Sequence, residues 1–279
     1  MIISVIIPTY RRPLILKRCL KALNNQTLNK KFFQLLVIPD YKHAGPAWAR
    51  NVGIKKAKGK IILFLDDDII ATPDLLKKHF SFHQAHPQVN LGLLGKVVWH
   101  PQLKINSFME WLEFSGMQAD YQHLKNNQRV SSLHFYTSNI SLKKELMIKN
   151  GFFDENFKYP LFEDTELGYR LSKKGFKLIY SATALAYHWH PVDLNSYLKK
   201  MKLRAIAGCQ LYRKHPELKG KIFPTQLPAK EILRLKFWQV LYPLGKLFNS
   251  KKILFNNYQR LVNEALLKEV KLQSKAKNG

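Results

Sequence analysis

The chain has 279 residues, 46% hydrophobic and 23% charged, enough to bury one large core with an appendage and too apolar for a disordered segment. Its two cysteines, Cys19 and Cys209, stand far apart, which argues against a disulfide framework or a thiolate metal site and suits a reducing cytosol. A formal net charge of +27 calls for a solubility explanation or an anionic partner: nucleic acid, a membrane surface or an anionic substrate.

Ile2–Ile7 reads as a buried β-branched strand ended by Pro8. Its short apolar run does not suit a signal peptide, and no stretch of the chain is apolar enough to predict a spanning helix. Pro13 opens a helix with Leu16, Leu20 and Leu23 on one face. Phe33–Ile38 is a second strand, Pro46 opens a helix ending near Gly59, and Lys60–Leu65 is a third strand. Thr72-Pro73-Asp74 predicts the cap and first turn of a helix through His83. Three strand-helix units in series imply a parallel, doubly wound sheet, whose ligands bind beyond the carboxyl ends of the strands. Pro8-Thr9-Tyr10-Arg11, Asp40 and Asp66-Asp67-Asp68 all fall there.

Further on, Leu93–Trp99 is a predicted strand, Asn106–Ser115 an amphipathic helix and Gln118–Ser131 a polar loop. Leu133–Ser141 alternates as a strand, with Ser141 capping a short helix Leu142–Lys149. Glu163–Lys174 is a helix stopped by Gly175, and Phe176–Tyr180 a strand. Beyond Pro191 the pattern is helical and dense in charge, with 19 Lys+Arg against 5 Asp+Glu.

Three adjacent carboxylates leaving an apolar strand repel one another, and such a cluster is tolerable where a cation or substrate neutralises it. The plainer alternative is a solvated acidic turn. The Glu163-Asp164 pair reads either as a helix N-terminus suited to the dipole or as a general base with its neighbour. His188 and His190, two apart, share one side of an extended segment and with a carboxylate suit a divalent cation.

ISVIIPTYRR, GPAWARNVG, IILFLDDDI, TSNISLKKE, GFFDENF, FEDTELGYRLSKKG and YHWHP occur in that order over about residues 1–200. The ordered set closely resembles family 2 glycosyltransferases, inverting enzymes of the GT-A fold. The resemblance implies an α/β GT-A fold, a doubly wound, mostly parallel sheet flanked by helices; the C-terminal helical extension that follows lies outside it. The basic helical extension (193–279) rests on the helical pattern and charge alone. The resemblance divides its own part of the chain into a nucleotide-sugar half (1–100) and an acceptor-binding and catalytic half (101–192). It implies that Pro8, Thr9, Tyr10, Arg11, Asp40, Arg50, Asp66 and Asp67 line the donor pocket, Asp40 at the uracil. Asn51 accompanies Arg50. Asp66, Asp68 and His188 would hold Mg²⁺ or Mn²⁺, Asp164 would be the base, and Asn139, Glu163, Trp189 and His190 would contact substrate.

The implied reaction moves one sugar from a nucleotide-diphosphate sugar, with UDP expected, to a hydroxyl of a glycan or lipid-linked acceptor. Ile38-Pro39-Asp40-Tyr41 stands where the family usually has Asp-Asp-Gly-Ser, and the Gln-x-x-Arg-Trp motif of processive synthases is absent, so single transfer is expected. A nucleotidyltransferase of related fold would carry a glycine-rich phosphate loop near the first strand. An aspartate-nucleophile phosphatase would carry Asp-x-Asp at the first strand. A basic RNA- or polyanion-binding protein would explain the charge but not the clustered acids; no specific nucleic acid is expected. The expected location is cytoplasmic. Glu231 to Phe248, basic and aromatic, reads either as a peripheral contact with the inner face of an anionic membrane or as a helix packed on its own domain.

Overall fold

The computed structural model describes residues 2–222 and 226–275. The chain up to Leu103 with Ala119–His190 forms one compact unit; Lys104–Gln118 and the chain from Pro191 form another.

The first unit is built on an eight-stranded mixed sheet, counted among the described residues. Strand β1 (Ile3–Thr9) leads into helix α1 (Pro13–Asn24), β2 (Phe33–Pro39) into α2 (Pro46–Lys56), and β3 (Ile61–Leu65) through the acidic triplet into β4 (Ile69–Ala71) and α3 (Leu75–Ala85). Then come β5 (Leu91–Trp99), the two-residue β6 (Arg129–Val130), β7 (Asn139–Lys143), α5 (Lys144–Asn150), α6 (Glu163–Ser172) and β8 (Lys177–His188), with α4 (Ser107–Phe114) in the second unit. The strands run in the order β2-β1-β3-β7-β5-β8-β4, with β6 on β8. β2-β1-β3 and β5-β8 are parallel, while β7 lies antiparallel between β3 and β5.

β3 shows why the central strands read as continuous apolar runs. Ile61, Leu63 and Leu65 face the core closed by α1 and α3; Ile62 and Phe64 face the core closed by α2, α5 and α6. At Gly53 a Cβ would lie 2.4 Å from Ile6 Cγ2, so only glycine lets α2 sit this close to β1.

The triplet joins strands that four sheet spacings separate. A flat sheet would set β4 roughly 19 Å from β3, yet the link from Leu65 to Ile69 reaches at most roughly 15 Å. The sheet resolves this at a bulge: Gly95 pairs with Ser181 but Lys96 with Leu185, so Ala182–Ala184 are extra in β8. Past the bulge, Leu185–His188 carries β4 as its antiparallel partner and brings His188 back to the triplet.

Several local expectations change. Helix α3 starts at Leu75, because Thr72 Oγ1 donates to Leu185 O and the Asp74 carboxylate accepts from Thr27 Oγ1, which leaves neither as a side-chain cap. The alternating run from Leu133 begins as a 3₁₀ turn, Ser132–His134, capped by Ser131, and becomes a strand only at Asn139. Ser141 is a buried strand residue and caps nothing; the following helix starts at Lys144. β8 runs eight residues beyond Tyr180 and takes in His188.

The second unit packs α4 against α7 (Leu194–Lys214) and α10 (Lys251–Lys275) through Phe108, Tyr197 and Tyr258, with Ser107 Oγ 2.8 Å from Tyr258 OH. Between them run α8 (Ala229–Val240) and α9 (Tyr242–Leu247). Among the described residues no helix is long and apolar enough to cross a membrane.

Candidate active site

Two arginines organise the triplet. Arg50, 3% exposed on α2, donates from Nη2 to Asp66 Oδ1 at 2.8 Å and from Nη1 to Glu163 Oε1 at 2.7 Å. Burial opposes the Arg50 charge, but Asp66, Glu163 and Asp164 outweigh it and raise its pKa. Arg12, just before α1, donates from Nη1 to Asp67 Oδ1 at 2.9 Å and from Nη2 to Asp68 Oδ2 at 2.5 Å. Thr9 Oγ1 also donates to Asp67, at 2.7 Å. Burial pushes the Asp67 carboxyl up to about 6 despite Thr9 and Arg12. Burial acts the same way on Asp68, but the hydrogen bond and charge of His188, with Arg12, hold it well below the usual carboxylate range.

His188 Nε2 lies 3.4 Å and His190 Nδ1 3.8 Å from Asp68 Oδ2. The two imidazoles stack, with centroids 5.6 Å apart, on the shared side that spacing two requires. Trp99 also stacks with His188, its ring centroid 5.3 Å away. The oxygen and nitrogen donors around Asp68 suit a hard or borderline divalent cation in kind. Their arrangement does not yet form a ligand set: Arg12 Nη2 sits at the shared oxygen, and among the described residues no three carboxylate, imidazole or thiolate groups are poised around one ion. Asp66 turns toward Arg50 rather than toward this cluster.

Helix α6 presents the second pair of acids. Phe162, at its N-cap, has φ 68, a left-handed conformation costly for a bulky side chain. That turn buries Glu163 against Arg50 and leaves Asp164 half-buried beside it. Asp164 Oδ1 accepts from the Thr165 amide at 2.6 Å, and its Oδ2 makes no hydrogen bond to the described residues. Burial raises the pKa of both acids, with their mutual repulsion adding to it at Glu163 and Arg50 opposing it at both. Glu163 Oε2 and Arg50 Nε are buried without a partner among the described residues, so polar groups remain for a ligand or water between the two acid clusters.

Other sequence-derived candidates are placed differently. Asp40 accepts from the Ala44 and Gly45 amides at 2.9 and 2.7 Å, so its carboxylate closes the shortened loop into α2. That loop needs Gly45, with φ 96 and the Lys158 carbonyl 2.5 Å from where a Cβ would be. Asn139 is fully buried: its Nδ2 donates to Lys96 O and Ala184 O, and its Oδ1 bonds His79. Its amide is thus committed to the core, although its backbone pairs with Leu65, the residue before the triplet. Asn51 pins residues 153–155 through Phe153 and Glu155. Trp189 holds its ring between Arg18, 4.0 Å from the centroid, and His100. Pro8 stands inside β1 opposite Ile38 rather than ending the strand, whose pairing with β2 runs on to Thr9 and Pro39, and Tyr10 bonds His43. Arg11, with φ 51, turns outward against Tyr10. Besides Arg50, the basic residue at the triplet is Arg12, which no sequence motif singled out.

The chain belongs to the glycosyltransferase-like family 2, whose family model matches residues 28–214. It is 25% identical over 280 residues to validoxylamine A glucosyltransferase of Streptomyces hygroscopicus subsp. limoneus, an alignment covering 80% of this chain and 58% of that protein. It is 31% identical over 119 residues to poly(ribitol-phosphate) beta-glucosyltransferase of Bacillus spizizenii, covering 33% of this chain and 19% of the relative. The chain thus spans well under two thirds of these relatives' length. Its fold resembles that of S. aureus TarS residues 1–349 in complex with UDP-GlcNAc: TM-score 0.55 at 16% identity, over 99% of this chain and 92% of that one.

Proposed function

We propose that the protein is an inverting, metal-dependent glycosyltransferase that moves one sugar from a UDP-sugar to a hydroxyl of a cell-envelope glycan or lipid-linked acceptor. The observation that carries this reading is the double ion pair of Arg50, which ties Asp66 of the triplet to Glu163, neighbour of Asp164. One buried side chain thereby fixes the distance between the acids on the donor side and the carboxylate beside the acceptor.

In this reading Asp164 Oδ2 takes the proton of the acceptor hydroxyl as its oxygen attacks the anomeric carbon. A single displacement inverts the configuration, so one base suffices. Glu163 and Arg50 position that base. Asp68 and His188, with Asp66 nearby, would hold Mg²⁺ or Mn²⁺ once Arg12 withdraws from the shared oxygen. The bound ion supplies a Lewis acid that offsets charge on the departing diphosphate. Arg12 then turns its own charge to the same phosphates. Pro8, Thr9 and Tyr10 line the nucleotide side, and Trp189 and His190 the sugar side. The relatives' names support sugar transfer: two are glucosyltransferases, one of them named for poly(ribitol phosphate).

The test is Asp164→Asn. Sugar-nucleotide affinity, read by calorimetry across a panel of UDP-sugars, stays near that of the parent protein, while turnover falls roughly 10²–10⁴-fold. Full turnover in a correctly folded Asp164→Asn protein overturns the assignment.

A further inference from the structure

Helix α8 lies on its own unit by one narrow stripe. Leu235 is buried, and Trp238 and Glu231 beside it are half-buried. At about 100° per residue, the positions opposite Leu235 are 233, 237 and 240. A helix packed on one side ordinarily shows polar residues there. This one shows Leu233, Phe237 and Val240, and α9 with its end adds Leu244, Leu247 and Phe248. Exposure of these six runs from 47% at Leu244 to 77% at Val240. Two large exposed apolar sets in succession are more than the scattered surface apolars of a soluble protein.

The charges around them have one sign. Residues 229–252 hold six Lys+Arg and a single acid, Glu231, which pairs with Arg234 at 2.6 Å. Lys230 and Lys236 flank the apolar line on α8, and Lys246 lies within α9, its ammonium over the Tyr242 ring. Long cationic stems around exposed Leu and Phe can bury their methylenes while the heads reach phosphate. A second copy is a poor occupant, because each copy brings the same positive rim and a net charge of +27.

We infer that the outer face of α8 and α9 is an interfacial anchor for an anionic phospholipid bilayer, with its apolar residues entering the headgroup boundary and its lysines meeting lipid phosphates. Its geometry is that of a helix lying in the membrane plane rather than crossing it. This inference stands apart from the catalytic reading, since it uses none of the acid clusters.

The experiment is co-sedimentation of the full chain with phosphatidylcholine vesicles, with and without phosphatidylglycerol, at low and high salt. The parent protein binds the anionic vesicles, and high salt weakens binding without abolishing it. The combined variant Leu233→Gln/Phe237→Gln/Leu247→Gln, altered only at exposed positions, loses more than about tenfold in partition at either salt. Lys236→Gln/Lys246→Gln loses the preference for anionic over neutral vesicles. No binding to anionic vesicles at low salt, or unchanged binding of the apolar variant, overturns the anchor. If the apolar variant instead turns a dimer into a monomer in sedimentation velocity while vesicle binding is unchanged, the face belongs to a second copy and the inference fails.

Discussion

Arg11 and Arg12 are adjacent in sequence and opposite in fate. Arg11 takes a left-handed backbone and lies outward against Tyr10; Arg12 returns to Asp67 and Asp68. The acids themselves were legible, because three carboxylates after an apolar strand demand a neutralising partner. Which arginine supplied the charge was not legible, since its partners lie 55 and 56 residues away and the choice rests on one backbone dihedral. Asn139 is the converse case: its motif suggested a ligand contact, and only its place in a central strand shows the amide used up internally. The position of Arg12 gives a direct expectation for the residue. Arg12→Gln removes a cation that competes for Asp68, so Mn²⁺ affinity measured by calorimetry without nucleotide rises about tenfold or more. An unchanged or weaker Mn²⁺ affinity refutes the competition. The opposite behaviour is expected at Asp68→Ala, which should abolish Mn²⁺ binding altogether.

Helix α3 and strand β7 meet through a buried polar chain. His79 bonds Asn139 Oδ1 at 2.9 Å and Ser141 Oγ at 2.7 Å, and His83 bonds the same hydroxyl at 2.9 Å. Asn139 presents its oxygen here, so His79 Nε2 is the donor and its Nδ1 accepts from Ser141. The hydroxyl then accepts from His83 Nε2, and both rings are neutral. Burial pushes His79 down to about 4 and His83 to about 3. The unfolded chain binds protons at these residues near pH 6.5, above both folded values, so their contribution is full above that pH and is lost as pH falls. The thermal unfolding midpoint should drop between about pH 6.5 and 4, by roughly 3 kcal/mol of stability from His79 alone. A midpoint that stays flat or rises over that window, in a scanning fluorimetry series, contradicts the network. The helix itself was readable from its apolar face, and β7 in part from its alternation. Their connection was not, because a histidine on an amphipathic helix reads the same whether it faces solvent or a strand serine.

Over the whole molecule, the order of motifs carried most of the first unit, and the strand-helix alternation carried the first three strands. Strand direction was beyond reach: periodicity marks a strand without saying which way it runs, so the antiparallel insertion of β7 between β3 and β5 could not be read. The charge balance was fully readable and has a global consequence. At +27 the compact chain repels itself, and counterions relieve that repulsion. Its melting temperature should therefore rise as NaCl goes from low to physiological levels, and a fall would mean that the pairs around Arg12 and Arg50 dominate instead.

Arg50 finds its two acids 16 and 113 residues along the chain, and it does so with its guanidinium sealed in the core. A molecule in which α6 has not yet docked must hold that charge with one partner missing, a costly intermediate. The placement of the triplet and the docking of α6 are thus locked to a single cooperative event. The arginine acts as a checkpoint on assembly, so that a chain with its acidic triplet in place and α6 undocked is a state the fold itself disfavours.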